Sequence, residues 1–446
     1  MLALGLALMA AGWPFTVDDA FITLRYGQNL VEHGSYAFNA GDTSDGVTGP
    51  LWVLPAALAA LAGMPALPKY VGGLCFLGAL AVLLRAAGPK RGRVAAYAMV
   101  LAPSATIWAT GGLETGMATL AFALVLFARR GSWLAAAVIP WLRPELVPAV
   151  LAASRTHRDR FALLTGLVSV AVFRVALFGS PIPLSALAKA SSIGAGVSYV
   201  GIGLLLLSGV VGFELALHGA RRGEVDASDA PGPFRLALVV GVHAAAVALA
   251  GGDWMPGYRL LIPVLPALAL LCAHGLEMRG AKWRSMLGAL WFVALAGLSA
   301  QQLAPAAESS AGRHGATGVL AERLAGGEGA VAAIDIGFLA YASGREFVDL
   351  GGVTDSRVAN MRGDHVDREI DVAYLEERGV TDVVLHSVRR PFVQDGRLRH
   401  IDGYPTERRL ARSEWLQLRF RVAGLYRHAE GYWYVHLTRD SALDSL

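Results

Sequence analysis

Two adjacent aspartates, Asp18 and Asp19, open the first polar stretch of the chain, which reads Val17-Asp18-Asp19-Ala20-Phe21-Ile22-Thr23-Leu24-Arg25-Tyr26. Carboxylates at the mouth of a membrane span are costly there, and the chemistry they offer is specific: general-base action on a hydroxyl, or ligation of a hard divalent cation such as magnesium or manganese. If a helix begins at either residue, its dipole favours the ionised form of both. The plainer alternative is that one of them only caps that helix.

A second polar island, Gly251-Gly252-Asp253-Trp254-Met255-Pro256-Gly257-Tyr258-Arg259, carries a carboxylate, a phenol and a guanidinium on turn-rich backbone. The arginine fork matches a phosphate bidentately. The alternative is an interfacial anchor, with Arg259 snorkelling beside Trp254. Further polar groups interrupt apolar runs: Glu114 after Gly111-Gly112-Leu113, Arg143 and Glu145 around Pro144 (the alternative being that the two only pair with each other as a strut), Arg174 and Lys189. The loop 18–50 adds Arg25, Tyr26, Asn39 and Thr48. Together they describe a polar, partly cationic cavity capped by paired acids. Such a cavity suits a substrate with a lipid tail, a phosphate and a sugar.

The elements that must hold these groups are membrane helices. The chain has 446 residues, 54% hydrophobic and 17% charged, with mean hydropathy +0.47. Soluble domains carry nearer a quarter charged residues. Leu, Ala, Val and Gly dominate, which favours helical spans over barrel strands. The net charge of +4 sits in short basic connections, so it sets orientation and implies no nucleic acid. The two cysteines, Cys75 and Cys272, fall in apolar runs and read as small buried hydrophobes.

Apolar segments recur at 1–17, 66–87, 94–110, 113–128, 132–154, 161–178, 197–217, 236–250, 258–277 and 285–302. Residues 1–17 are slightly short of a span; either the helix is minimal or the start is late, and the segment reads as the first transmembrane helix. The basic connections are Lys90 to Arg93, Arg129-Arg130, Arg155 to Arg160, Arg221-Arg222 and Arg279 to Arg284. The positive-inside rule puts them in the cytoplasm and puts the acid pair, the second island and everything after 302 on the opposite side. Residues 51–63 are too short to cross and read as a re-entrant or interfacial helix. Residues 132–154 have basic flanks on one side and Arg143 in the middle, the pattern of a hairpin of two half-length helices. The expectation is a polytopic α-helical membrane domain, residues 1–302, with about 11 crossings.

From about residue 305 charge and glycine rise. Residues 330–335, 382–386 and 432–437 read as strands and 367–378 as a helix, giving a soluble α/β domain over 303–446.

On these stretches the chain resembles the GT-C superfamily of polytopic glycosyltransferases that use polyprenyl-phosphate sugars, and within it the actinobacterial terminal arabinofuranosyltransferase type. The matching residues are Asp18 to Ile22, Arg25-Tyr26, Asn29-Leu30, Phe38-Asn39, Gly41, Gly46, Thr48, Leu51 and Trp52. Gly111 to Thr115, Arg143 to Glu145, Gly252 to Arg259, Asp335, Tyr341, Ser343 to Arg345, Val348 to Leu350 and Thr354-Asp355 match as well. Two stretches depart: Asp45-Gly46-Val47-Thr48, where similar chains carry Glu-Gly-Tyr-Thr-like residues, and Pro183-Leu184-Ser185, where Pro-Asn-Thr-like residues are common.

The resemblance implies an inverting transferase of the bacterial plasma membrane with its active site on the outer face. Asp18 or Asp19 would be the base, and in some members a divalent cation assists. Arg259, Lys189 or Arg143 would meet the phosphate. The outer domain would bind an acceptor glycan or cap the site, with Tyr341, Trp415, Tyr426, Trp433 and Tyr434 able to stack on sugar or to pack its core. Two other classes remain open. A transporter would line a path with the same polar groups, although no inverted repeat is visible. A membrane-anchored binding module would place the function in 303–446.

Overall fold

The computed structural model describes residues 1–128, 130–188, 192–221, 231–253 and 255–440. Arg129, Lys189, Arg222 and Trp254, named above, lie outside the described residues.

Helix His157–Phe178 shows what solvent the bundle was built for. Phe161, Leu164, Val168, Val172 and Val175 form an outward stripe, 72%, 56%, 53%, 61% and 49% exposed, while Arg174 is buried. Apolar outside and polar inside is the pattern of a helix in lipid. Among the described residues five helices are long and apolar enough to cross a membrane: Leu67–Ala87, His157–Phe178, Ile193–His218, Arg259–Glu277 and Ala281–Ala325. The other expected crossings fall on shorter apolar helices, including Leu2–Gly12, Thr115–Phe127, Ser132–Leu142 and Pro233–Leu249. Small residues let the backbones close up. A Cβ on Gly116 would stand 2.1 Å from the carbonyl oxygen of Gly72, so helices 67–87 and 115–127 touch main chain to main chain there.

The basic connections gather at one end of the bundle. Arg91 bonds to Glu277, Arg155 to the Leu126 carbonyl and Arg235 to the Ala153 carbonyl. The acid pair, Glu114, Arg143 and Arg259 come together away from that end. Ser132–Leu142 stops at Arg143, whose extended backbone (φ −146, ψ 92) leads into Pro144–Leu146 and Val147–Ala153. The break is where the sequence puts it, but the halves splay instead of forming a tight hairpin. The first packs on His157–Phe178 and the second on Pro233–Leu249.

Helix Asp18–His33 starts at the acid pair and ends at Gly34 in the left-handed region (φ 63). It packs on the nine-residue helix Val53–Leu61. A hairpin of β1 (Ala37–Asn39) and β2 (Asp42–Thr43) follows it.

The last long helix, Ala281–Gly312, runs ten residues beyond 302 and passes through a bend at 313–317 into Gly318–Ala325. Beyond it lies a five-stranded sheet of β3 (Ala330–Ala333), β4 (Phe347–Asp349), β5 (Val380–Ser387), β8 (Phe420–Arg427) and β9 (Trp433–Arg439), in the order β4-β3-β5-β9-β8. The first three run parallel; β9 is antiparallel to both β5 and β8. The hairpin β6 (Phe392–Gln394) and β7 (Arg397–His400) stands apart. The helix expected over 367–378 forms only at Val372–Glu377, where Asp371 caps it.

This α/β cap is fused to the helical domain. Ile22, Tyr26, Phe38 and Val53 share one core with Leu320, Val331, Ile336 and Phe347. Arg25 donates to the carbonyls of Phe38, Ala340, Gly344 and Arg345, and Asn39 pairs both ways with the Phe347 backbone at 2.8 and 3.0 Å.

Candidate active site

The two aspartates have different surroundings. Val17 is extended (φ −69, ψ 149), which puts both acids in the first helical turn. Asp18 turns to the cap. Its two oxygens accept from the amides of Gly337 and Phe338, at 2.9 and 3.0 Å, where helix Gly337–Ser343 begins. Asp19 keeps a side chain that is 37% exposed, lines the cavity below the cap, and lies 3.9 Å from Arg259.

Arg259 is held by the turn before it. Gly251, Gly252 and Gly257 all take positive φ, as does Tyr258 (φ 54). A Cβ on Gly257 would stand 2.6 Å from Trp108 Nε1, and that clearance lets the indole donate to the Pro256 carbonyl at 3.2 Å. The guanidinium pairs with Asp253 and sits 5.5 Å from the Trp108 ring centre. Nearby, Arg143 is clamped by Glu114 at 2.7 Å and Glu145 at 3.2 Å. Both clamps reduce its freedom to follow a ligand, but Arg143 and Glu114 still line the cavity.

The cavity measures about 440 Å³ and lies between the helices and the cap. Its helical wall includes Asp19, Thr48, Trp108, Glu114, Arg143 and Arg259. Its cap wall includes Asp335, His386, Tyr404, His428, Tyr432 and Tyr434. Burial lifts the Asp335 carboxyl above the usual carboxylate range, against a hydrogen bond from Tyr434 at 2.9 Å. Burial also lowers the His386 imidazole, which favours its neutral form.

Several expected residues hold the site from outside the cavity. Arg25 and Asn39 bind the cap, as above. Tyr26 is fully buried: its hydroxyl bonds to Ser44 Oγ at 2.8 Å and accepts from the Gly46 amide at 2.9 Å, fixing the loop before Thr48. Trp52 donates to the Gly112 carbonyl at 2.8 Å. Tyr258 packs on Tyr199, Asp253 serves Arg259, and Glu145 serves Arg143. Thr48 reaches the cavity and bonds to Ser185 Oγ at 2.8 Å. Lys189 and Trp254 fall outside the described residues. Of the aromatic residues singled out in the cap, Tyr434 faces the cavity. Trp415 packs on Phe420 and Tyr341 on Phe21.

Sequence reasoning missed Trp108, Lys69 and the cluster His386, Tyr404, His428 and Tyr432. Lys69 is buried and donates to the carbonyls of Trp13 and Phe15 and to Thr16, the linker before the acid pair. A lysine among the first residues of an apolar helix was the available signal. For the aromatic cluster it was Tyr432 and Tyr434, two apart where the last strand begins.

Asp18 gives both oxygens to amides and Asp19 faces a guanidinium. Among the described residues no three His, Cys, Asp or Glu side chains gather as a ligand set.

A family model described as a domain of unknown function (DUF8728) matches residues 300–435. No curated protein matches the chain. Among solved structures, ArnT from Cupriavidus metallidurans bound to undecaprenyl phosphate is similar, with a TM-score of 0.61 at 14% identity. The match covers 99% of this chain and 98% of that one, so the two share a fold from end to end.

Proposed function

We propose that the chain is an inverting glycosyltransferase that moves a sugar from a polyprenyl-phosphate donor to an acceptor hydroxyl. The observation that carries this reading is Asp19 beside Arg259 on one cavity wall, in a fold shared with a protein that was crystallised with undecaprenyl phosphate. Asp19 takes the proton of the acceptor hydroxyl as its oxygen attacks the anomeric carbon. The bond from that carbon to the phosphate oxygen breaks on the opposite face, and polyprenyl phosphate leaves with the electron pair. A carboxylate is a weak base for a sugar hydroxyl, so proton transfer comes late, when the attacking oxygen is already acidic. Arg259 meets the charge that gathers on the leaving phosphate, an interaction stronger in the transition state than before it. The lipid tail lies among the helices.

The basic connections at the far end support an orientation with the cavity and cap on the outer face of a bacterial plasma membrane. Arabinofuranose is the first sugar to try, on the resemblance of the acid-pair and Asp253–Arg259 stretches. The test is transfer by purified protein in detergent from polyprenyl-phosphoryl arabinofuranose to an arabinan fragment, beside Asp19→Asn. Product from wild type and none from the variant supports the reading. Turnover only with another lipid-linked sugar keeps the class and removes arabinose. No turnover with any lipid-linked sugar removes the class.

A further inference from the structure

The end of the bundle away from the acid pair holds a second cavity, about 700 Å³ and open to the outside. Arg155, Arg160 and Arg235 line it, and no acid does among the described lining residues. Arg155 and Arg160 both repel the Arg235 guanidinium, and the acid that acts on it among the described residues is Asp159. That carboxylate is buried and already committed. One oxygen accepts from Ser132 Oγ at 2.7 Å, the other from the amides of Arg155 and Thr156 at 3.2 and 3.0 Å. Glu224, Asp226 and Asp229 lie outside the described residues. Three guanidiniums thus meet at one opening with a single, committed acid beside them, an excess of positive charge that an anion would relieve. The positive-inside rule accounts for the side of the membrane on which arginines sit, but not for their convergence on a cavity.

Two of the three are fixed in place. Arg155 donates to the Leu126 carbonyl and Arg235 to the Ala153 carbonyl, in the last turns of helices Thr115–Phe127 and Val147–Ala153. A guanidinium carries five N–H donors in a rigid fork, so the carbonyl bond leaves Arg235 donors for a ligand. Arg160 is exposed at the rim. The lipid-facing side of the rim is apolar. Phe234, 70% exposed, and Leu238, 44% exposed, line the cavity one turn apart on helix Pro233–Leu249. Gly241, Ala245 and Leu249, all exposed, continue that face along the helix. At the same end the Arg158 guanidinium lies 4.3 Å from the Trp133 ring centre, and tryptophan favours the level of the headgroups. Positive charge at a mouth, with an apolar path leading from it, matches a phospholipid: phosphate among the arginines, chain along the helix.

We infer that the cavity of Arg155, Arg160 and Arg235 binds the phosphate of an anionic phospholipid in the leaflet at the basic end of the bundle, with an acyl chain along Phe234 and Leu238. A lipid headgroup and a free phosphate share the anion that the arginines recognise; the exposed apolar face favours the lipid. The site lies at the end opposite Asp19 and Arg259 and stands whether or not the chain transfers a sugar.

The experiment is native mass spectrometry on the full-length protein in detergent, titrated with phosphatidylglycerol, with phosphatidylcholine of the same chains, and with glycerol 1-phosphate. Phosphatidylglycerol should bind about tenfold more tightly than phosphatidylcholine, and glycerol 1-phosphate should not bind measurably. Arg160→Gln should weaken phosphatidylglycerol about fivefold, the share of one arginine at a lipid headgroup, and leave phosphatidylcholine unchanged. Arg160 is exposed, so this variant should keep the wild-type melting temperature, which separates lost binding from lost folding. Adding Arg235→Gln should remove the preference for the anionic lipid. Arg160→Lys, which keeps the charge, should retain most of it. Equal binding of the two lipids, or wild-type binding of phosphatidylglycerol by the double variant, overturns the site. So does a preference that falls with Arg259→Lys and ignores Arg160→Gln, which would seat the lipid in the other cavity. Glycerol 1-phosphate that binds as tightly as phosphatidylglycerol, with the same dependence on Arg160, would remove the lipid and leave a free-phosphate site.

Discussion

Asp18 and Gly337 meet across the seam between the helical domain and the cap, carboxylate to amide at 2.9 Å. The approach is close enough that a Cβ on Gly337 would stand 2.2 Å from the Asp18 carbonyl oxygen. One acid of the pair thus locks the cap in place while its neighbour faces the cavity. The two should separate under mutation. Asp19→Asn should cut kcat by roughly 10² to 10⁴ with an unchanged melting temperature, the loss of a general base at a part-exposed position. Asp18→Asn should cost about 1.5–3 kcal/mol of stability, the worth of hydrogen bonds to a charged acceptor. Gly337→Ala should loosen the same seam. Detergent melting curves and single-turnover rates check this; a stable, inactive Asp18→Asn with an active Asp19→Asn would reverse the assignment.

Arg259 is buried with Asp253, so its removal strands a buried carboxylate, and an alanine variant would report mainly misfolding. Arg259→Lys keeps the charge but loses the planar fork that phosphate geometry matches. We expect kcat/KM for the lipid donor to fall about 10- to 100-fold, an energy of about 1.4–2.7 kcal/mol. Acceptor KM should hold. A donor-kinetics titration at fixed acceptor decides it; unchanged donor kinetics would move the phosphate to Arg143.

Much of this site was legible in the residues because lipid makes polar groups conspicuous. Asp19, Glu114, Arg143 and Arg259 each interrupt an apolar run, and each reaches the cavity. The helix start at Asp18 was legible for the same reason. The roles within the site were not. Nothing local to Asp18 shows that its partner is an amide 319 positions later. Arg25 and Asn39, polar and near the acids, bind cap backbone; long-range docking looks the same as ligand binding in one dimension. The cap was legible as α/β, but the edge strands β4 and β8 were not: β4 is three residues long, and β8, though eight long, is half-buried along nearly its whole length and so shows no clean alternation. The five-strand order is set by pairing across long loops, which no window of sequence holds.

Lys69 ties the linker that leads into the acid pair. Its ammonium donates to Phe15 O and Thr16 Oγ1 at 2.9 Å and lies 4.7 Å from the Trp13 ring centre. Lys69→Met keeps the length and removes the donors, leaving two carbonyls to find other partners. We expect a stability loss of about 1–3 kcal/mol. Because Asp19 follows that linker by three residues, kcat should fall while donor KM changes little. A melting temperature and kcat equal to wild type would show the linker holds its place without Lys69.

Stability of the cap should depend on pH through Glu407. Burial pushes this carboxyl from an ordinary 4.5 up to about 8, even though it accepts from the amides of His386 and Tyr404 at 2.7 and 2.9 Å. The native state therefore holds a proton that the unfolded chain has lost between about pH 4.5 and 8. Stability falls as pH rises through that window and is flat above it. Asp335 and Asp349, also raised by burial, act in the same direction. The melting temperature should thus be higher at pH 5 than at pH 8, and Glu407→Gln, which cannot ionise, should flatten the profile without abolishing the share of the two aspartates. A melting temperature that rises from pH 5 to pH 8 would mean that the two amides outweigh burial and hold Glu407 ionised.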